Sequence, residues 1–287
     1  MSGTRFQPFS YPAPKAELAC GPHKLILGER TLIMGILNVT PDSFSDGGLH
    51  NTLEKAVARA FEMVEEGADI IDVGGESTRP GSVKVPAEEE LKRVIPVVEA
   101  LARAGLPVPI SVDTYKAEVA RRALEAGAHI INDIWGCKAD PDMAGVAAKH
   151  GCPIILMHNR DHTEYRDLVE EVTAELRECI EIAIRAGVRS GQIVLDPGIG
   201  FGKTLEQNLL LMNRLHHLVA LGYPVLLGTS RKSMIRQTLD LPVHDVVEGT
   251  AATVALGIAQ GCGIVRVHDV KSMKRVAVMT DAMVRIT

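Results

Sequence analysis

The residues able to do chemistry fall into a recurring position, immediately after short apolar runs. Reading along the chain these are Asn38, Asp72, Asp113, Asn132 with Asp133, His158 with Asn159, Asp196, Ser230 with Arg231 and Lys232, and Arg266 with His268 and Asp269. Asp and Asn at such places also cap helices, so any one of them has a purely structural explanation. Their recurrence after every run points to a shared site. Carboxylates that follow directly on Ile70-Ile71 or Ile110-Ser111-Val112 would be drawn out of water and need a partner. A nitrogen heterocycle offering two parallel N–H groups, as guanidine does, would serve.

The segment Gly228-Thr229-Ser230-Arg231-Lys232-Ser233 opens a helix with hydroxyls and two adjacent cations. Backbone N–H groups at a helix start, with such neighbours, make an oxyanion cradle. A solvated helix face is the alternative for Arg231 and Lys232. Arg266 and His268 add to the cradle from the next apolar run. A hard-oxygen position at Asn38 beside bound phosphate would suit Mg²⁺, which shares its ligands with substrate phosphates. The histidines form no H-E-x-x-H pattern, which argues against a zinc hydrolase.

What must position these groups is a set of parallel strands. Apolar, mostly β-branched runs at 32–37, 69–73, 108–112, 129–131, 153–157, 192–195, 224–227 and 263–267 give eight expected strands. Segments of helical periodicity separate them, for example Leu53, Val57, Ala60, Phe61 and Val64. Glu66-Gly67-Ala68-Asp69-Ile70-Ile71 and Ala126-Gly127-Ala128-His129-Ile130-Ile131 are near copies of one helix-glycine-strand unit. Strands apolar throughout belong to a sheet covered on both faces, and eight such units are the count for a single α/β (β/α)8 TIM barrel. A doubly wound open sheet is the runner-up, but no G-x-G-x-x-G follows the first strand. Residues 1–30 are read as an N-terminal extension, with a hairpin around 25–32 closing the barrel floor, and residues 31–287 as the catalytic barrel. An additional helix is expected within 239–261, between strands seven and eight. The polar segments 38–48 and 74–81 have the composition of mobile lids over the mouth.

Composition agrees with this architecture. Hydrophobic residues make up 46% of 287, yet aromatics only 3%, so the core is aliphatic. The net charge of −5 gives no field for nucleic acid or an anionic membrane, and any anion must be held locally. The five cysteines are odd in number and lack C-x-x-C spacing, as in a reduced, cytoplasmic protein. No apolar stretch is long enough for a membrane span.

Four long motifs carry a resemblance. Leu37-Asn38-Val39-Thr40-Pro41-Asp42-Ser43-Phe44-Ser45-Asp46-Gly47-Gly48, Asp72-Val73-Gly74-Gly75-Glu76-Ser77-Thr78-Arg79-Pro80-Gly81, Asp196-Pro197-Gly198-Ile199-Gly200-Phe201-Gly202-Lys203 and Gly228-Thr229-Ser230-Arg231-Lys232-Ser233 are similar, in this order, to the signatures of the dihydropteroate synthase family of pterin-binding enzymes. The resemblance runs from about residue 31 to the C-terminus. It implies a (β/α)8 barrel joining 4-aminobenzoate to 6-hydroxymethyl-7,8-dihydropterin diphosphate for folate, and a target of sulfonamides.

Residue by residue, it implies that Asp113, Asn132, Asp196 and Lys232 hold the pterin. Arg266 and His268, with Thr78, would bind diphosphate, and Asn38 would ligate Mg²⁺. Thr78, Arg79, Pro80, Phe201 and Ser230 would enclose 4-aminobenzoate. Asp113, Lys232, Arg266 and His268 would act in catalysis. The resemblance also implies a homodimer built partly from late helices such as 270–286. Two rivals stay open: a corrinoid-linked methyltetrahydrofolate methyltransferase, which shares the barrel but has no use for the cradle, and a non-catalytic pterin-binding paralogue. Phe44, Phe201 and Trp135 are the large rings expected near the mouth.

Overall fold

The computed structural model describes residues 11–39, 49–76 and 84–286. Thr78, Arg79, Pro80, Phe44 and most of both expected lids lie outside them, as do Phe6 and Phe9.

Two antiparallel strands come first, β1 (Ala16–Cys20) and β2 (His23–Leu27). The barrel strands follow: β3 (Leu32–Asn38), β4 (Ile70–Gly74), β5 (Ile110–Asp113), β6 (Ile130–Asp133), β7 (Ile154–Met157), β8 (Ile193–Asp196), β9 (Leu226–Leu227) and β10 (Ile264–Val267). All pair in parallel, in the order β8-β7-β6-β5-β4-β3-β10-β9. A Leu195–Val225 bridge, with Leu195 N–H donating to Pro224 O at 2.9 Å, joins the two ends. That seam is thin because Pro224 has no N–H for a ladder, which shortens the seventh barrel strand from the expected 224–227 to two residues.

Helices α1 (Leu49–Glu65), α2 (Ala87–Arg103), α3 (Ala117–Glu125), α4 (Met143–His150) and α5 (Leu168–Arg185) alternate with the strands. They are followed by α6 (Leu205–Asn213), α7 (His216–Val219), α8 (Ser233–Leu239), α9 (Val247–Ala259) and α10 (Val270–Val284). Between β9 and β10 the chain thus forms α8 and then α9, which lies within the expected 239–261. At Gly127 the backbone takes φ +116°, which lets the chain leave α3 and turn straight into β6.

The hairpin lies earlier than expected. Leu32 belongs to the first barrel strand, paired with Ile264, and the floor is closed by 16–27. Period-two alternation explains how. Leu18, Cys20, Leu25 and Leu27 point inward, and pack against Leu32, Met34, Ile70, Ile130, Ile155, Val194, Leu226 and Ile264, the interior residues at the bottom of the barrel. Gln192 ties the plug down by donating to Ala19 O at 3.2 Å. The opposite strand faces, Ile33, Ile71, Ile131, Ile154 and Val265 among them, pack against the helices.

Candidate active site

The same alternation places the chemistry. Two residues beyond each interior aliphatic comes the next interior position, so Ile70, Ile130, Val194 and Ile264 are followed on the same face by Asp72, Asn132, Asp196 and Arg266. Interior aliphatics plug the floor and interior polar groups line the mouth. Register ties the row together, since Asn38 pairs with Gly74, Gly74 with Asp113, and Asp113 with Asn132.

At the centre lies a guanidinium between two carboxylates. Arg266 Nε donates to Asp72 Oδ2 and its Nη2 to Asp113 Oδ2, each at 2.6 Å. Asn132 Nδ2 also donates to Asp72 Oδ2, at 3.0 Å. All four residues are buried or nearly so, and the second oxygens Asp72 Oδ1 and Asp113 Oδ1 are buried without a partner among the described residues. Buried acceptors left unmet cost free energy unless a donor such as a ligand's N–H group reaches them. Burial pushes the Asp113 carboxyl up to about 7, against the pull of Arg266. Burial works against the Arg266 charge, but Asp72 and Asp113 more than restore it. Asp196 is likewise raised by burial, although Gly198 N–H donates to its Oδ1 at 2.7 Å.

Several of these groups line a narrow cleft formed by Asp113, Asn132, Asp196, Phe201, Lys232 and Arg266, with apolar walls from Ile134, Met157 and Ile199. Phe201, Lys232 and Arg266 also border a second, wider cleft that contains Asn38, Ser230 and His268. The Lys232 ammonium stands 4.0 Å from the centre of the Phe201 ring, where the ring's negative face attracts it. Ser230 Oγ and His268 Nδ1 lie 3.0 Å apart, and His268 N–H donates to the same hydroxyl, which fixes the imidazole.

The structure therefore brings together Asn38, Asp113, Asn132, Asp196, Phe201, Ser230, Lys232, Arg266 and His268 from positions spread over 231 residues of sequence. The cradle is less cationic than its sequence suggests. Arg231, at φ +58°, borders the wider cleft too, but its charge is engaged by Asp269 in a two-point ion pair, 3.2 and 2.7 Å. Asp133, adjacent to Asn132, faces outward and accepts from the backbone N–H of Trp135 and Cys137, so it ties a loop. Trp135 lines a different surface cleft with Tyr115 and Tyr165. Asp72 is the central residue that sequence reasoning left without a role. Its signal was available in the interior phase it shares with Ile70.

Asn38 Oδ1 and Asp113 Oδ2, the oxygen that Arg266 engages, lie on the same side of Gly74, where a Cβ would stand in ordinary contact at 3.8 and 3.7 Å from them. The Asn38 amide oxygen is a hard donor of the type Mg²⁺ takes. No group of three acidic, His or Cys side chains among the described residues could enclose a metal, so most of its shell would come from ligand oxygens and water.

Residues 34–268 match the model of the family described as pterin binding enzyme. The chain is 58% identical over 266 residues to the dihydropteroate synthase of Clostridium beijerinckii, covering 92% of this chain and 98% of that one. It is similar to the solved dihydropteroate synthase of Clostridium difficile in the presence of pteroic acid (TM-score 0.89, 52% identity, 91% and 99% covered). The Xanthomonas albilineans dihydropteroate synthase with 4-aminobenzoic acid aligns with TM-score 0.90 at 43% identity, covering 95% and 100%.

Proposed function

From the premise that the chain belongs to the pterin-binding enzyme family, among the dihydropteroate synthases, we propose how its own residues divide the work. The reaction condenses 6-hydroxymethyl-7,8-dihydropterin diphosphate with 4-aminobenzoate, giving 7,8-dihydropteroate and diphosphate in folate biosynthesis. The carrying observation is the Asp72–Arg266–Asp113 triad with its unpartnered carboxylate oxygens, set beside Asn132 and Asp196 at one mouth.

Asp196 accepts the 2-amino and ring N–H edge of the pterin, with Asn132 and Lys232 completing the polar rim. The apolar walls exclude water, which strengthens each of these bonds. Arg266, fixed by Asp72 and Asp113, and His268, fixed by Ser230, place positive charge and N–H donors against the diphosphate. The bond from the pterin methylene to the diphosphate oxygen breaks with its electron pair leaving on diphosphate, where these donors stabilise it. The dihydropterin spreads the positive charge left on the methylene, and the Asp113 carboxylate supports it. The amine of 4-aminobenzoate, walled by Phe201 and Ser230 with Thr78, Arg79 and Pro80 supplied from outside the described residues, then forms the new C–N bond and gives up a proton. Pterin binding therefore precedes amine binding. Asn38 would hold Mg²⁺ jointly with the diphosphate oxygens, and the ion's contribution when bound is to neutralise leaving-group charge.

Two copies pair, in this reading, through α9 and α10, which pack together and leave Leu256, Val278, Met279, Met283 and Ile286 exposed. A cytoplasmic location is supported by five free, buried cysteines, and no described helix is long and apolar enough to cross a membrane.

A diphosphate-release assay tests the whole assignment. Release should match dihydropteroate formed and depend on 4-aminobenzoate. A chain that binds the pterin diphosphate yet forms no product is a non-catalytic binder, and methyl transfer from methyltetrahydrofolate would mark the rival enzyme.

A further inference from the structure

The segment that presents Phe201 is held from behind by a buried lysine that the chemistry above does not use. Lys203 is only 9% exposed, and its Nζ donates to Gly198 O at 3.0 Å and Phe201 O at 2.9 Å. The third partner is His158 Nδ1, at 2.9 Å. An ammonium has three protons and no acceptor, so these three oxygen and nitrogen acceptors satisfy it completely.

A lone buried cation would be expensive, and the charge is balanced at one remove. With its Nδ1 accepting from Lys203, a neutral His158 carries its proton on Nε2, which lies 3.4 Å from Glu175 Oε2 without forming a hydrogen bond to it; Glu175 and Asp196 favour the Lys203 charge from a distance. Burial keeps this imidazole neutral, down to about 2. Glu175 is anchored by Lys138 at 3.0 Å and Arg160 at 2.7 Å, on the outer side of the barrel wall. Burial also draws the Lys203 ammonium down, while Asp196 favours its charge. The backbone allows nothing bulkier at the turn. A Cβ on Gly198 would sit 1.8 Å from His158 O, and Gly200 N–H is taken by Asn208 Oδ1 at 2.7 Å.

We propose that Lys203 is a positioning residue for the amine substrate: by clamping the carbonyls of Gly198 and Phe201 it fixes the Phe201 ring against the 4-aminobenzoate subsite. This rests on the assignment of Phe201 to that subsite. Asp196 keeps its own bond to Gly198 N–H, so the pterin edge is less dependent on the clamp. The residue separates the two substrates, which is what a merely structural lysine would not do.

Steady-state kinetics on Lys203→Met and Phe201→Ala, each with both substrates varied, provides the test. Lys203→Met should raise KM for 4-aminobenzoate about tenfold, as expected for a ring displaced by a fraction of its width, with KM for the pterin diphosphate within about threefold of wild type. Lys203→Arg, which keeps the cation, should recover part of the loss. If Phe201→Ala raises KM for 4-aminobenzoate and Lys203→Met does not, the clamp is overturned while the subsite stands. If Phe201→Ala leaves that KM unchanged, the subsite assignment fails and the clamp falls with it. Equal rises for both substrates in Lys203→Met would reduce Lys203 to general loop stability and also overturn the proposal. Should the Met variant not fold, Lys203→Gln, one bond too short to reach both carbonyls, carries the same comparison.

Discussion

At the scale of single residues, the decisive variable is the phase of a side chain on its strand. Asn132 and Asp133 are neighbours of similar type, yet one donates to Asp72 inside the mouth and the other ties the Trp135–Cys137 loop outside it. Asp113 shows what interior placement does to chemistry. Its ordinary pKa is about 3.9, and burial lifts it to about 7 in the fold. A raised carboxylate favours the folded state fully below about 4 and loses that advantage as pH rises through about 7. Catalysis has the opposite need, because only the ionised form supports a cationic methylene. The expected result is that kcat/KM for the pterin diphosphate falls as pH drops from about 7 toward 5, and that this dependence is lost in the residual activity of Asp113→Asn. An unchanged acid limb in that variant would assign the titration to another group.

At the scale of elements, the strands were legible and their ends less so. All eight apolar runs are strands, because continuous Val, Ile and Leu suit a sheet buried on both faces. The hairpin expected around 25–32 lies earlier because its bend is Gly21-Pro22, between Cys20 and His23, whereas Gly28 to Arg30 join the end of β2 to β3. Only pairing across the barrel assigns Leu32 to the wall. The hairpin has a stability role distant from the mouth. Leu18→Ala, which hollows the floor plug, should cost about 2 to 5 kcal/mol in urea unfolding while leaving kcat/KM unchanged. A loss of activity without loss of stability would mean that the floor communicates with the site.

At the scale of the whole molecule, the exposed apolar area of the late helices bears on assembly. The outer face of α9 and α10 carries Val278, Met279 and Met283, each more than half exposed at 59%, 60% and 52%. Apolar side chains grouped on one surface mark an interface more often than scattered ones do. Light scattering should give twice the 30.9 kDa chain mass, and Val278→Asp with Met279→Asp should return it to one chain. A wild-type mass of 30.9 kDa at micromolar concentration would refute the pairing.

The amino-acid sequence determined the repeating unit, the barrel and the positions at which polar residues end each strand, because periodicity and glycine punctuation are local properties. Its long motifs also carried the resemblance to the pterin-binding family that the family match bears out. What tertiary structure decided is partnership. Arg266 lies 194 residues from Asp72 and 153 from Asp113 in the chain, and Lys203 lies 45 from His158. Nothing in local sequence says that one guanidinium will serve two carboxylates, that Arg231 will turn to Asp269, or that a lysine in a signature motif will face backward into the wall. Those choices follow from closing eight strands into a ring, which brings the interior phase of each strand to one mouth and its outer phase to the helices.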